Sequence, residues 1–75
     1  MAKNSKRITL YKQIWARIRY WQNLRDVSDA ELANALQVCE RTLRDYDKNA
    51  RCLTLERVDN FLTANNLILE ELLHS

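Results

Sequence analysis

The chain has 75 residues, which is enough for one domain with a modest core but not for a large active-site cleft. Its composition, 47% hydrophobic and 29% charged with a net charge of +2, is that of a globular protein. Apolar runs reach only three residues, and the basic start is not followed by an uninterrupted apolar segment. The sequence therefore predicts neither a membrane span nor a secretory signal, and we expect a cytoplasmic protein.

The sequence offers no residue set suited to catalysis or metal binding. Cys39 and Cys52 are 13 positions apart, and the single histidine, His74, is far from both. Zinc sites need four ligands, usually in two close pairs. Because there is also no glycine-rich phosphate loop and no nucleophile–base pair, we expect no enzymatic activity, no metal and no cofactor. In a cytoplasmic chain the two cysteines are expected to be reduced.

The lack of glycine and proline argues against β-rich folds and favours helices joined at asparagine and aspartate residues. Apolar residues recur at three- and four-residue spacing over 10–24, which predicts a first helix there. Ser28, with Glu31 three positions later, has the pattern of a capping box and predicts a second helix over 29–36.

A break at 37–39 separates the second helix from a third, predicted over 40–48. Thr54 is placed to cap a fourth helix over 55–64, and leucines at helical spacing predict a short fifth helix over 69–74. The sequence thus predicts an all-α domain of five helices. The side chains expected to face the core are Tyr11, Ile14, Trp15, Ile18, Trp21, Leu32, Ala33, Leu36, Leu43, Tyr46, Leu55, Val58, Phe61, Leu62, Leu69, Leu72 and Leu73.

Charge is distributed unevenly along the chain. Residues 1–25 include seven basic and no acidic residues, whereas residues 26–75 include five basic and ten acidic residues. This asymmetry predicts a negatively charged partner for the first third, of which nucleic acid is the commonest; an acidic protein surface and anionic lipid are the alternatives. We expect residues 1–7 to be a basic flexible arm and residues 8–75 to be one domain.

The second and third predicted helices have the layout of a helix-turn-helix, in which the second of the pair enters the major groove of DNA. Segment 27–49 reads VSDAELANALQVCERTLRDYDKN. It resembles the lambda repressor/Cro-like (XRE-type) helix-turn-helix family, whose members typically read LTxxELAxxLGVSxxTIxxYENG, and the similarity extends over residues 17–73. The resemblance implies a compact five-helix bundle of the lambda repressor-like type. It also implies a small phage or prophage transcription regulator that binds double-stranded DNA.

Several positions depart from the pattern of this family. Its two glycines after the first and second helices are Asp26 and Gln37, its serine cap is Cys39, and its Asn-Gly after the third helix is Lys48-Asn49. We expect a left-handed backbone at Gln37 to cost stability, whereas Asn49 suits that conformation. Cys39 is a poor helix cap. A glutamine that often touches phosphate in the family is Asp29 here, and a carboxylate is ill suited to that contact.

By the same resemblance, the residues expected to contact bases are Glu40, Arg41, Arg44 and Asp45. Arg41 suits base reading best, because a guanidinium group matches the N7 and O6 acceptors of guanine. A salt bridge between Glu40 and Arg44 is the alternative use of the second arginine. The residues expected to contact phosphates are Ser28, Thr42, Lys48, Asn49 and Arg51, with Lys3, Lys6 and Arg7 of the arm.

A protein-binding regulator on the same scaffold, such as an antirepressor that binds a repressor, is the main alternative. The acidic residues Glu40, Asp45 and Asp47 favour it, because they would repel phosphates. A membrane-surface role for the basic first helix is disfavoured, since its apolar side chains are needed to cover the other helices. A DNA reader of this size is expected to form a homodimer. The candidate interface residues, for a dimer or another partner, are Ile68, Leu69, Leu72, Trp15 and Tyr20, with an intramolecular role for the last segment left open.

Overall fold

The computed structural model describes residues 8–74, and within this range every element of regular secondary structure is a helix. The five helices are α1 (Leu10–Leu24), α2 (Asp29–Leu36), α3 (Glu40–Lys48), α4 (Leu55–Ala64) and α5 (Leu69–His74), with one 3-10 turn at Ala50–Cys52. The all-α prediction is confirmed, and the predicted helix bounds agree with the observed ones. The predicted basic arm, which includes Lys3, Lys6 and Arg7, lies outside the described residues.

Side-chain caps explain where three of the helices begin. The hydroxyl oxygens of Thr9 and Thr54 accept hydrogen bonds from backbone amides in the first turns of α1 and α4. At α2 the predicted capping box is present: Ser28 Oγ accepts from the Glu31 amide at 3.2 Å, and Glu31 Oε1 accepts from the Ser28 amide at 3.1 Å. Cys39 precedes α3 and makes no side-chain cap hydrogen bond, as its residue type predicts.

Three joints adopt the left-handed backbone conformation without a glycine. Their φ angles are 57° at Asp26, 60° at Gln37 and 55° at Asn66. The first two stand where the family pattern has glycine, so the chain keeps the turn geometry and bears its steric cost. The prediction for Asn49 is wrong: its φ of −149° is extended. There the chain enters the 3-10 turn directly, and Asn49 Oδ1 caps it by accepting from the Arg51 amide at 3.2 Å.

Replacing Gln37 with glycine is expected to raise the free energy of unfolding by about 1 kcal/mol, because glycine has no Cβ to clash in the left-handed conformation. Replacing it with valine is expected to lower that free energy by a similar amount, since β-branched residues rarely adopt positive φ. Urea unfolding followed by tryptophan fluorescence measures both. A loss of stability in Gln37→Gly would show that the exposed glutamine side chain matters more than backbone strain.

All five helices contribute side chains to the core; α2 packs on α3 and α4, and α5 packs on α1. Two aromatic pairs contribute edge-to-face contacts: Trp21 with Phe61 at 5.0 Å and Trp15 with Tyr46 at 5.1 Å between ring centroids. The buried apolar side chains are Ile14, Trp15, Ile18, Leu32, Ala33, Leu36, Leu43, Tyr46, Leu53, Val58, Phe61 and Leu72. None of the described helices is long and apolar enough to cross a membrane.

Three side chains predicted to face the core are exposed instead: Leu55 at 78%, Tyr11 at 46% and Leu69 at 43%. Leu55 is displaced because Leu53, two residues earlier, fills the core position at 5% exposure. Leu72, suggested as part of an interface, is 1% exposed and belongs to the core. Its side chain is therefore not available to a partner in this conformation.

Candidate functional site

The outer face of α3 carries a continuous stripe of exposed polar side chains. Arg41, Arg44, Asp45 and Lys48 are spaced at i, i+3, i+4 and i+7, so they lie on one side of the helix. Lys48 lies seven positions after Arg41, so the stripe extends about 10 Å along the helix axis. On the opposite face, the buried side chains of Leu43 and Tyr46 attach α3 to the core.

The connection from α2 to α3 is held by backbone hydrogen bonds and by a contact from α4. The amide of Gln37 donates to the carbonyl of Asn34 at 3.1 Å, and the amide of Val38 donates to the carbonyl of Ala33 at 2.9 Å. From α4, Arg57 Nη1 donates to the carbonyl oxygen of Gln37 at 3.2 Å. These bonds fix the direction in which α3 leaves α2.

Arg19 of α1 binds carboxylates from two other helices. Its Nη2 lies 2.8 Å from Asp47 Oδ2 and its Nε lies 3.2 Å from Asp47 Oδ1, while Nη1 lies 3.0 Å from Asp29 Oδ1. Trp15 Nε1 also donates to Asp47 Oδ1 at 2.7 Å. The guanidinium carbon stands 5.2 Å from the centroid of the Trp15 ring, within cation–π range.

Gln22 completes this group of side chains, which we call the Arg19 cluster: Arg19, Asp29, Asp47, Trp15 and Gln22. The buried amide of Gln22 accepts from Arg19 Nη1 at 2.7 Å and donates to Asp29 Oδ1 at 2.8 Å. The Gln22 Nε2 atom, which donates to Asp29, also donates to the carbonyl oxygen of Val27 at 3.1 Å. The cluster thus ties the start of α2 and the end of α3 to α1.

The protonation equilibria in the cluster favour the ionised forms. Hydrogen bonds from Gln22 and Arg19 lower the pKa of Asp29. Burial raises the pKa of Asp47, but hydrogen bonds from Arg19 and Trp15 outweigh it and leave that pKa below its ordinary value. Burial likewise lowers the pKa of Arg19, and its hydrogen bonds to both carboxylates outweigh that effect. Each carboxylate is therefore more firmly ionised in the folded chain than in the unfolded one.

The Arg19 cluster affects both the expected repulsion of phosphates by Asp47 and the expected availability of Trp15 to a partner. Asp47, counted among the acidic residues that would repel phosphates, is paired with Arg19, which also binds Asp29. Trp15, one of the candidate interface residues of α1, is buried, and the guanidinium of the neighbouring Arg19 is bound to Asp47. Of the aromatic residues suggested for that surface, Tyr20 is 46% exposed and remains accessible.

The predicted base-contacting residues occupy one surface. Glu40, Arg41, Arg44 and Asp45 are all exposed on α3. Within the described residues Glu40 and Arg44 form no salt bridge, although the positive charge of Arg44 helps to lower the pKa of Asp29. The arginines of the stripe are therefore accessible to an external partner.

The predicted phosphate-contacting residues divide into two groups. Lys48, Asn49 and Arg51 are exposed and lie together at the end of α3, where they line a shallow cleft. Ser28 and Thr42 are less available. The Ser28 hydroxyl oxygen serves the capping box, and Thr42 is half-buried with its Oγ1 3.2 Å from the sulfur of Cys39.

Cys39 and Cys52 are free, exposed thiols. A hydrogen bond with the Thr42 hydroxyl lowers the pKa of Cys39, and backbone hydrogen bonds at the start of α3 lower it further. Among the described residues, no group of three histidine, cysteine, aspartate or glutamate side chains is arranged to hold a metal ion.

Three exposed residues, Lys12, Leu10 and Leu55, have surroundings that the sequence pattern does not predict. Lys12 of α1 lies beside Lys48 and Arg51 in the cleft, a proximity that only the tertiary fold creates. Leu10 at 60% and Leu55 at 78% exposure line an apolar groove of about 410 Å³ between α1 and α4. Ile68, a suggested interface residue, is 58% exposed.

Comparison with models of known protein families, with curated proteins and with solved structures gives no match for this chain. The functional content of the lambda repressor/Cro-like resemblance therefore depends on the sequence pattern and on the geometry of the described residues.

Proposed function

We propose that this chain is a sequence-specific DNA-binding transcription regulator of the Cro/repressor type, acting in a phage or prophage, with α3 as its recognition helix. The observation that carries the proposal is the polar stripe of α3, formed by Arg41, Arg44, Asp45 and Lys48. A short helix held against the core on one face and exposing arginines on the other is what major-groove reading requires.

Apart from Asp47, the exposed side chains of α3 carry a small excess of positive charge, which supports this role. The exposed face has three basic side chains, Arg41, Arg44 and Lys48, and two acidic ones, Glu40 and Asp45. Asp47 is paired with Arg19, which also binds Asp29, so these three side chains together keep a net charge of −1. The five exposed side chains named first are slightly positive in sum, and Arg41 and Arg44 form no salt bridge in the described part of the chain.

The proposed roles follow from position along the stripe. Arg41, near the start of α3, reads guanine with a bidentate contact, and Arg44 takes a second guanine or a phosphate. Glu40 accepts from a cytosine amino group, and Asp45 lies at the edge of the contacted bases. Lys48, Asn49 and Arg51, together with the arm outside the described residues, bind phosphates without reading sequence.

A second candidate is a protein-binding regulator, such as an antirepressor that binds a repressor through the same scaffold. It is favoured by the exposed apolar side chains at the α1–α4 groove, Leu10 and Leu55 among them. For a DNA reader, exposed apolar residues such as Ile68 and Leu69 are instead the proposed contact between two copies on a palindromic site.

Replacing Arg41 with alanine is expected to weaken binding to the preferred DNA sequence by roughly 5- to 150-fold and to relax selection at one base position, because one bidentate contact is lost. Selection from randomised duplex DNA, followed by titration at two salt concentrations, measures both effects. Arg25→Ala is the matched control. It removes an exposed arginine just after α1, outside the helix-turn-helix pair, where its guanidinium carbon lies 5.7 Å from the centroid of the Trp21 ring, and it should leave affinity and sequence preference unchanged.

The outcomes of this experiment separate the two candidates. Enrichment of a defined sequence by the wild type, lost or broadened in Arg41→Ala only, supports the DNA reader. If no sequence is enriched, and a pull-down from the source cell returns another helix-turn-helix protein whose capture needs Leu55, the protein-binding regulator is the correct function.

A further inference from the structure

A cleft of about 300 Å³ lies between the start of α1 and the end of α3. Its walls carry four basic side chains and one acidic side chain: Lys12, Arg19, Lys48, Arg51 and Asp47. The acidic one is already bound by Arg19 and by the indole N–H of Trp15. The cleft therefore presents a clear excess of positive charge to solvent.

Three of these basic side chains come from different elements and point at a common space. Lys12 belongs to the first turn of α1, Lys48 to the last turn of α3, and Arg51 to the 3-10 turn. All three are exposed, and none forms a salt bridge within residues 8–74. Bringing like charges together costs free energy through repulsion, and a polyanion would remove that cost.

The cleft also contains neutral hydrogen-bonding groups that suit phosphate oxygens. Asn49 is exposed and uses its side-chain oxygen to cap the 3-10 turn, so its side-chain N–H groups are still able to donate. Thr9 accepts a hydrogen bond from the Lys12 amide through its hydroxyl oxygen, so its O–H is still able to donate. Hydroxyl and amide donors of this kind are common partners of DNA phosphates.

The cleft is continuous with the polar stripe of α3, because Lys48 belongs to both. Arg41 and Lys48 are about 10 Å apart along the helix axis, whereas the major groove is about 12 Å wide. If the start of α3 contacts base edges, its end and the adjacent cleft lie near the phosphates that border the groove.

We propose that this cleft binds the sugar–phosphate backbone of the DNA that α3 reads, and that Lys12 of α1 makes a phosphate contact together with Lys48 and Arg51. The inference rests on the proposed function and adds to it a contact from a helix outside the helix-turn-helix pair. An extended polyanion fits better than a small ion, because the site is open and its cations are exposed side chains on three separate elements.

The test compares Lys12→Gln with the wild type in titrations of the selected duplex over a series of salt concentrations. Loss of one phosphate contact is expected to reduce the slope of log K against log salt by about 1 in magnitude and to leave the preferred sequence unchanged. Lys12→Arg should keep the wild-type slope. Arg25→Gln, about 20 Å away along α1, is the matched control for loss of a positive charge. Circular dichroism confirms that each variant is folded.

Failure of this inference differs from failure of the proposed function. If the wild type selects a DNA sequence through Arg41 but Lys12→Gln keeps the wild-type slope, the cleft does not bind the backbone and only this inference is overturned. The same holds if Arg25→Gln reduces the slope as much as Lys12→Gln, since the effect is then one of net charge. If the wild type binds no duplex, both proposals are overturned.

Discussion

Replacing Phe61 with alanine is expected to lower the free energy of unfolding by about 3–5 kcal/mol. The ring is fully buried and makes an edge-to-face contact with Trp21 at 5.0 Å between centroids. Its loss removes both the transfer free energy of a large side chain and that aromatic contact, and leaves a cavity between α1 and α4. The total stability of a domain of 75 residues is only about 4–11 kcal/mol, so the variant is expected to lose a large share of its stability.

The matched control for this prediction lies on the same helix. Leu55 is an apolar residue that the sequence pattern also assigns to the core, yet it is 78% exposed. Leu55→Ala is therefore expected to change the free energy of unfolding by less than about 0.5 kcal/mol. Urea unfolding followed by tryptophan fluorescence measures both variants. A cost for Leu55→Ala close to that of Phe61→Ala would contradict the orientation of α4 in the structure.

The two α4 residues show where the sequence pattern is sufficient and where it is not. Helix bounds could be predicted because they depend on local signals, such as the Ser28–Glu31 capping box and the apolar spacing within each segment. The side chain that fills the core just before α4 depends on how the chain enters the helix. Leu53 and Leu55 differ by two positions, and periodicity within the helix alone cannot decide between them.

In the candidate site, too, features set by local sequence could be predicted and features set by the tertiary fold could not. The stripe of α3 could be predicted, because exposure at Arg41, Arg44 and Lys48 follows from helical geometry once Leu43 faces inward. Two features could not be predicted, since they join residues distant in sequence. One is the pairing of Arg19 with Asp47, 28 positions apart, and the other is the cleft that brings Lys12 to Arg51.

The Arg19–Asp47 pair also changes what the number of acidic residues near α3 implies about a partner. Counting acidic residues near α3 favours a protein partner, because Glu40, Asp45 and Asp47 have equal weight in such a count. In the fold, Asp47 is bound by Arg19 and by the indole N–H of Trp15, whereas Glu40 and Asp45 form no salt bridge within the described residues. The net charge of a sequence segment is therefore a poor guide to the charge on its accessible face when one carboxylate has a structural partner.

Replacing Asp47 with alanine is expected to lower the free energy of unfolding by about 2 kcal/mol, a value that allows for the half-exposed position of the carboxylate. The variant loses two hydrogen bonds from Arg19 and leaves the indole N–H of Trp15 without its partner. Asp45→Ala is the matched control. Asp45 is on the same helix and exposed, forms no salt bridge within the described residues, and its loss should cost less than about 0.5 kcal/mol.

The pH dependence of stability tests whether the charge of Asp47 is responsible. Its folded-state pKa lies below the ordinary value of 3.8, so its contribution is complete above that pH and is lost as the pH falls through the lowered pKa. Urea unfolding at about pH 6 and about pH 3 should therefore show the difference between wild type and Asp47→Ala shrinking at the lower pH. Asp29, whose pKa is also lowered, titrates in both proteins and contributes an acid-dependent loss to each. An equal difference at the two pH values would mean that packing, and not the ion pair with Arg19, holds the end of α3 to α1.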